Sequence, residues 1–384
     1  MLKRYFLILG VLAICLLPIT VLAQSDIPDG NKMEDFGTTW ILIQNSYVDG
    51  PIPDETLYEG AIKGLVQSLN DPHSAYFNEA EYQELITKIT GSFVGIGIEF
   101  KIKDKYPCIM NILKNSPASK ANLKAGDFII KADGQSLKGM PDDKIVMKIK
   151  GHKGTKVKLT IAREGEKEFL EIEIERDEIQ LPMAEYKLLE NDTILYLNLL
   201  GFSDEICIFL QKTLLEIKDK KIEGIILDLR GNSGGYIEVA VAVSSLWISK
   251  EDGLIVKQVS KNKRYQRDHY PNFKGQQPFA KTTTVILVDE GSASASEIVA
   301  GCLKDYQKAT LIGKKTYGKG SVQIIFKLGK SALKLTVAKW LTPKGTAIDK
   351  EGIAPDIEIK EEAKDGKDPC IEKALEILKN KDKK

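Results

Sequence analysis

Ser294 and Lys319 are the residues whose types and surroundings best support chemistry. The segment Thr283-Thr-Thr-Val-Ile-Leu-Val-Asp-Glu-Gly291-Ser-Ala-Ser294-Ala-Ser-Glu-Ile reads as an apolar strand to Val288, a turn over Asp289, Glu290 and Gly291, and then a helix. The inward stripe of that helix is Ala295, Ile298, Val299, Cys302 and Tyr306. A serine at a strand-to-helix turn exposes its hydroxyl, and nearby backbone N–H groups point at incoming negative charge. Ser292, Ser294 and Ser296 equally suit plain helix capping. The segment alone leaves both readings open.

A serine hydroxyl is a poor nucleophile without a base. The chain has three histidines, His73, His152 and His269. None sits in a glycine-rich or small-residue turn of the part that alternates strand and helix. A neutral lysine can replace histidine. Its pKa of about 10.4 must then fall by roughly 3 units, which costs about 4 kcal/mol and which burial can supply. Lys319 is the candidate, because Gly318 and Gly320 flank it in a tight turn that enters a β-run. Most lysines here are solvated surface charges, so local chemistry leaves Lys319 one candidate among many.

The elements that must position these residues follow from periodicity. Residues 34–90 read as helical, with Trp40, Ile43 and Tyr47, then Leu57, Ala61, Leu65 and Leu69, at helical spacing. Residues 70–74, Asn-Asp-Pro-His-Ser, form a turn. Residues 91–176 carry short β-rich runs at 108–113, 127–132, 156–162 and 168–174, with a helix at 142–149, which is a small α+β module. From residue 190, strands at 193–199, 224–229 and 283–288 alternate with helices at 203–218, 236–247 and 294–306. Such alternation requires crossovers and a largely parallel sheet. Two β-runs follow at 322–328 and 332–341, then a charged tail with one amphipathic helix at 371–378.

Composition bounds the rest. The chain has 384 residues, 55 basic and 54 acidic, so two or three domains are expected and nucleic acid is a poor partner. Lys3 and Arg4, the apolar run to Leu17 and the small residues before a cut after Ala23 read as a secretory signal peptide over 1–23. An uncleaved anchor is the alternative. Export, free or tethered, is expected either way, and periplasmic or extracellular work with it. The cysteines after the leader, Cys108, Cys207, Cys302 and Cys370, lack a CxxC pair, so no zinc site is expected and mostly free, buried thiols are.

Several motifs in one order resemble the carboxyl-terminal processing (tail-specific) peptidases. Ser-Ala-Ser-Ala-Ser-Glu-Ile at 292–298 is followed 25 residues after Ser294 by the lysine of Tyr317-Gly-Lys-Gly-Ser-Val-Gln323. The resemblance implies a Ser294–Lys319 dyad, with Gln323 orienting the lysine. Asp228-Leu-Arg-Gly-Asn-Ser-Gly-Gly235 resembles the family's Asp-Leu-Arg-x-Asn-Pro-Gly-Gly loop. It implies an oxyanion hole from a Gly234 or Gly235 N–H and the Ala295 N–H. Ser233 stands where proline is usual, which puts the rigidity of that loop in question. Asp71-Pro-His-Ser74 resembles the family's N-terminal region, and Thr342-Pro-Lys-Gly345 with Gly352-Ile-Ala-Pro-Asp356 its closing segment.

Ser116-Pro-Ala-Ser-Lys-Ala-Asn-Leu-Lys-Ala-Gly126-Asp127-Phe-Ile-Ile and the Val94-Gly95-Ile96-Gly97-Ile98 loop resemble a PDZ domain. Such a loop captures a terminal carboxylate while the peptide adds as a strand. The resemblance implies that the module selects substrate tails and gates the protease. Lys150 stands where relatives often carry arginine, so a switch contact there is altered.

The expected organisation is therefore a multidomain α/β protein. It comprises a signal peptide (1–23), an N-terminal helical region (24–90), an inserted α+β PDZ domain (91–176), a β/α peptidase core with a mostly parallel sheet (177–360), and a charged C-terminal helix and tail (361–384). The expected activity is that of a serine endopeptidase acting on protein or peptide C-terminal tails without a cofactor or metal. A homo-oligomer and an activating adaptor remain open as partners. A PDZ-based binding protein without turnover and a serine hydrolase using His73 or His269 are the rival functions.

Overall fold

Long apolar strands separated by helices force a parallel sheet, and that sheet organises the chain. The structure is a computed structural model that describes residues 30–273, 277–361 and 367–380. The expected leader, residues 24–29 and the last four residues lie outside the described residues. Two compact units divide between Ser68 and Leu69. The first holds α1 (Gly30–Ser46) and α2 (Asp54–Gln67).

The second unit begins with β1 (Ala75–Phe77), α3 (Glu79–Thr90) and β2 (Ser92–Gly95). A six-stranded module follows: β3 (Ile98–Lys103), β4 (Tyr106–Ile112), α4 (Pro117–Lys120), β5 (Phe128–Ala132), β6 (Gln135–Ser136), α5 (Asp142–Ile149), β7 (Lys156–Ala162) and β8 (Leu170–Glu175). Its strands run in the order β3-β4-β5-β7-β8, so β3 is an outer strand. Ile96, Ile109, Ile129, Ile145, Leu159 and Ile161 fill its core. The chain leaves through β9 (Asp177–Gln180), which pairs antiparallel with β2 from Ser92↔Gln180 to Gly95↔Asp177. Entry and exit of the module are thus one two-stranded ribbon.

The core sheet has the order β10 (Ala184–Leu189), β11 (Ile194–Leu199), β12 (Gly224–Asp228), β15 (Thr283–Val288), β16 (Ala309–Gly313) and β19 (Ile357–Glu358). All its pairs are parallel except β10–β11. The helices α6 (Asp204–Glu216), α7 (Ile237–Ser244) and α8 (Ala295–Asp305) are the crossovers, and α9 (Pro369–Lys379) packs its Cys370 and Ala374 with Ile226, Val285 and Leu287. The mostly parallel α/β core expected from alternation is present.

A second sheet differs from the expectation. The two late β-runs are one long antiparallel hairpin, β17 (Ser321–Leu328) and β18 (Ser331–Leu341). It is joined by β13 (Val256–Val259), β14 (Arg267–His269) and β1. Strand β1 lies within the stretch that periodicity reads as helical. Three residues are too few to register as a strand, and what makes them one is pairing with β18, Ala75↔Lys334 to Phe77↔Ala332.

Cys108, Cys302 and Cys370 are buried and Cys207 is half-buried, all as free thiols. Among the described residues no helix is long and apolar enough to cross a membrane.

Asp127 is 1% exposed and carries a two-pronged ion pair, Arg163 Nε to Oδ1 at 2.7 Å and Nη2 to Oδ2 at 2.8 Å. Arg163→Met leaves that carboxylate buried and unpaired. A loss of about 3 kcal/mol in the stability of the 91–176 module is expected, read by denaturant unfolding. An unchanged midpoint would contradict it.

Candidate active site

The end of β15 and the start of α8 place Ser294 at the carboxyl edge of the parallel sheet, where crossover loops collect. Ser294 has φ 55° and ψ −113°. A residue with a side chain pays on the order of 1–3 kcal/mol for such a conformation. The surroundings hold it there. Ala293 N–H donates to the Asn232 carbonyl at 3.0 Å. Ser292 Oγ donates to the Leu229 carbonyl and Ser296 Oγ to the Asn232 carbonyl, each at 2.7 Å. Ser292 and Ser296 thus stitch the turn to the 228–235 loop.

Glu297 joins the two candidate residues. It is 0% exposed, and four donors converge on it. Its Oε2 accepts the N–H of Ser294 at 2.8 Å and of Lys319 at 2.9 Å. Its Oε1 accepts the Gly318 N–H at 2.7 Å and the Thr316 hydroxyl at 2.6 Å. The Lys319 carbonyl accepts from Trp340 Nε1 at 3.0 Å, so the lysine backbone is fixed at both ends. Gly318 has φ 88°, and a Cβ there would lie 2.8 Å from the Gly352 nitrogen. Glu297 was missed as a functional residue, although a glutamate three places after Ser294 is the capping-box signature.

Lys319 is half-buried. Burial, then the positive charge of Lys334, hold its pKa below the usual lysine value, and the Glu297 carboxylate opposes them. Lys334 lies on β18 opposite Ile325, with its Nζ 5.3 Å from the centre of the Phe77 ring. Gln323 is opposite Thr336 across the same hairpin. Its Nε2 donates to Ser321 Oγ at 2.9 Å and Thr336 Oγ1 at 3.2 Å.

The 228–235 loop abuts the nucleophile. A Cβ on Gly234 would fall 2.8 Å from Ser294 Cβ, so only glycine fits. The Gly234 N–H donates to Asn232 Oδ1 at 2.9 Å. Among the described residues the N–H groups of Gly235 and Ala295 have no partner. Ser233 is exposed. Asn232 stiffens the loop instead of a proline, because its Nδ2 also donates to the Leu199 carbonyl at 2.7 Å.

The histidines separate. His73 is half-buried, and burial, then the charge of Lys319, lower its pKa. His269 is buried on β14 against Gln258 Oε1 at 3.2 Å, and His152 is exposed in the 91–176 module. In that module Val94 and Gly95 end β2, Ile96 and Gly97 form the loop, and Ile98 begins β3. The Ile96 carbonyl accepts from Ala118 N–H at 2.8 Å and the Gly97 carbonyl from Leu113 N–H at 3.0 Å. The N–H groups of Ile96 and Gly97 have no partner among the described residues. Lys150 is exposed, its Nζ 5.5 Å from the Phe93 ring centre.

Comparison with known proteins agrees with this layout. The profile of peptidase family S41 matches residues 193–359, a PDZ domain profile matches 94–174, and the profile of the activating protease CtpB N-terminal domain matches 20–81. The chain is 35% identical over 342 residues to the carboxy-terminal processing protease CtpB of Bacillus subtilis, covering 88% of this chain and 70% of that protein. It is 36% identical over 336 residues to a carboxy-terminal-processing protease of Bartonella bacilliformis, covering 86% and 75%. The solved photosystem II D1 C-terminal processing protease superposes with a TM-score of 0.50 at 25% identity, over 89% of this chain and 91% of that one.

Glu297→Gln replaces one acceptor oxygen by an NH₂ group facing two donors. A loss on the order of 3 kcal/mol in unfolding free energy is expected from the stranded buried groups. Wild-type stability in chemical denaturation would show that Glu297 does not hold the two segments together.

Proposed function

Because the chain belongs to peptidase family S41 and is a serine-type peptidase carrying a PDZ domain, we propose that Ser294 is its nucleophile and Lys319 its general base, in an endopeptidase that engages the C-terminal tails of its protein substrates. The observation that carries this reading is the shared Glu297 oxygen, which fixes the backbones of both residues. Neutral Lys319 takes the Ser294 Oγ proton as Oγ attacks the scissile carbonyl. The Gly235 and Ala295 N–H groups hold the oxyanion, since that of Gly234 is engaged by Asn232. The intermediate collapses, the Lys319 ammonium returns its proton to the departing amine, and an acyl-enzyme remains. Lys319 then takes a proton from water, which attacks the ester, and returns it to Oγ. No step calls for a metal or a cofactor.

The tail-binding role rests on the PDZ module. The free N–H groups of Ile96 and Gly97 suit a terminal carboxylate, and the outer edge of β3 suits strand addition. The leader-like pattern over residues 1–23 supports export.

His73 offers a second reading, because burial and then the charge of Lys319 lower its pKa and favour the neutral imidazole. Cleavage of an unfolded protein with a free C-terminus separates the two. Ser294→Ala and Lys319→Ala are expected to lose on the order of 10³-fold or more in kcat/KM. Equal activity in wild type and both variants would sink the dyad, and a matching loss in His73→Ala would favour the histidine.

Lys334 tunes the base by repelling its ammonium form. Lys334→Met removes that repulsion, so the Lys319 pKa rises and the neutral fraction at a given pH falls. The rising limb of the kcat/KM profile is expected to move to higher pH. A limb that stays in place would remove Lys334 from this role.

A further inference from the structure

Two glycines far apart in sequence lie under one side chain. A Cβ on Gly91 would fall 2.5 Å from Met183 Sδ and 2.6 Å from its Cγ, and a Cβ on Gly201 would overlap Met183 Cε. Met183 is half-buried against the main core. Gly91 is the left-handed residue that ends α3, with φ 69°, and its carbonyl accepts the Leu181 N–H at 2.8 Å. It sits at the root of the β2–β9 ribbon. Gly201 lies just beyond β11, where the Leu200 N–H donates to the Met183 carbonyl at 2.8 Å. The thioether thus fills the space between the ribbon and the end of a core strand.

Gly201 leads directly to the loop beside Ser294. The Phe202 N–H donates to the Gly234 carbonyl at 3.0 Å, and the Phe202 carbonyl accepts the Tyr236 N–H at 2.8 Å. The Gly234 carbonyl and the Gly235 N–H belong to one planar trans peptide, so they point in opposite directions. Between two glycines, at φ 105° and 149°, such a peptide plane turns with little steric hindrance. The bond from Phe202 fixes the plane and thereby aims the Gly235 N–H. A Cβ on Gly201 would also come within 3.7 Å of the Gly234 oxygen, so the backbone at Gly201 lies close to that carbonyl.

We propose that Met183 is a positioning residue for the oxyanion hole: braced on Gly91, its thioether holds Gly201 and Phe202 where the Phe202 N–H captures the Gly234 carbonyl and turns the Gly235 N–H towards substrate. Gly201 has no side chain with which to pack, and the Met183 methyl supplies the missing contact. Methionine suits the place, because an unbranched thioether fills an irregular gap. The inference rests on the Ser294 reading above, with Gly235 as an oxyanion donor, and names what holds that donor. Met183 acts on the oxyanion side of the site and not on the base.

The test uses the full chain and an unfolded protein substrate with a free C-terminus. Met183→Ala empties the space over Gly201 and is expected to lower kcat by about tenfold, within the range that misplacement of an oxyanion donor produces. KM is expected to stay within about twofold, as for an interaction made in the transition state alone. The rising limb of the pH profile stays in place, because the base is unchanged. Gly201→Ala drives the Met183 methyl away and is also expected to lower kcat. In the double variant the new Cβ occupies the vacated space. Gly201→Ala is therefore expected to raise kcat about threefold in the Met183→Ala background, a reversal of sign that marks direct contact. Thermal melts establish that each variant is folded. Should Met183→Ala fail to fold, Met183→Leu takes its place; it keeps apolar bulk, lacks the terminal methyl and is expected to lower kcat severalfold. Wild-type kcat in the folded Met183 variant would overturn the proposal, as would a loss confined to KM, a displaced limb, or an equal loss from Gly201→Ala in both backgrounds. Ser294→Ala runs alongside. If it stays active, the nucleophile reading fails and this proposal with it. If it is inactive while Met183→Ala matches wild type, the nucleophile stands and only the role of Met183 is lost.

Discussion

Four hydrogen-bond donors converge on the buried carboxylate of Glu297, and the geometry of the site depends on that convergence. Two donors come from the segment holding Lys319, one from Thr316 beside it and one from the backbone of Ser294. A carboxylate away from water is stable only with such partners. The requirement runs both ways. The donors need the carboxylate as much as it needs them, so the strand-to-helix turn and the glycine-flanked turn cannot separate without stranding buried polar groups. Two segments from different sheets are thereby held as one piece.

That constraint also explains how Ser294 keeps an unfavourable backbone. Its φ of 55° persists because bonds on both sides fix it: Ala293 to the 228–235 loop before it, Glu297 after it. The loop is held in turn by Asn232, which uses its whole amide to bind the Leu199 carbonyl and the Gly234 N–H. The same bond engages the Gly234 N–H, while that of Gly235 has no partner among the described residues. A residue that stiffens the loop thus also selects its free N–H.

Sequence made some of this legible and hid the rest, for physical reasons. The parallel core was readable because the strands at 193–199, 224–229 and 283–288 are apolar runs, each followed by a helix of regular period. Ser294 was readable because small residues after an apolar strand are a local signal. Lys319 was not readable from its own surroundings. A lysine between glycines becomes special only when burial and Lys334 act on it, and both are long-range effects. Only the ordered resemblance to a family singled it out. Strand β1 and the docking of the Asp71–Ser74 turn on β18 were invisible for the same reason, since the contacts that join them to β18 reach across more than 250 residues. Glu297 is the instructive omission. Its spacing from Ser294 was a local signal, but its value lies in the two donors from Gly318 and Lys319, which no local pattern contains.

The PDZ module is entered through β2 and left through β9, which pair as one ribbon. Arg176, the residue before β9, is 6% exposed and makes its hydrogen bonds inside the module. Its Nε donates to the Ile149 carbonyl at 2.8 Å, its Nη2 to the Lys148 carbonyl at 3.3 Å, and its Nη1 to the Lys156 carbonyl at 2.8 Å. Positive charge at the carboxyl end of a helix is favourable, and here it fastens the end of α5 to the root of the ribbon. Helix α5 and strand β3 are the elements between which an added peptide strand would lie in a PDZ domain. Arg176 thus ties the end of α5 to the start of β9, and β9 pairs with β2 over four residue pairs. The ribbon leads through β2 to α3 and β1, and β1 is the strand that sets the Asp71 turn against β18. The fold therefore links the PDZ module to the sheet of β17 and β18 through backbone pairing of β2 with β9 and of β1 with β18, with α3 between β1 and β2 along the chain.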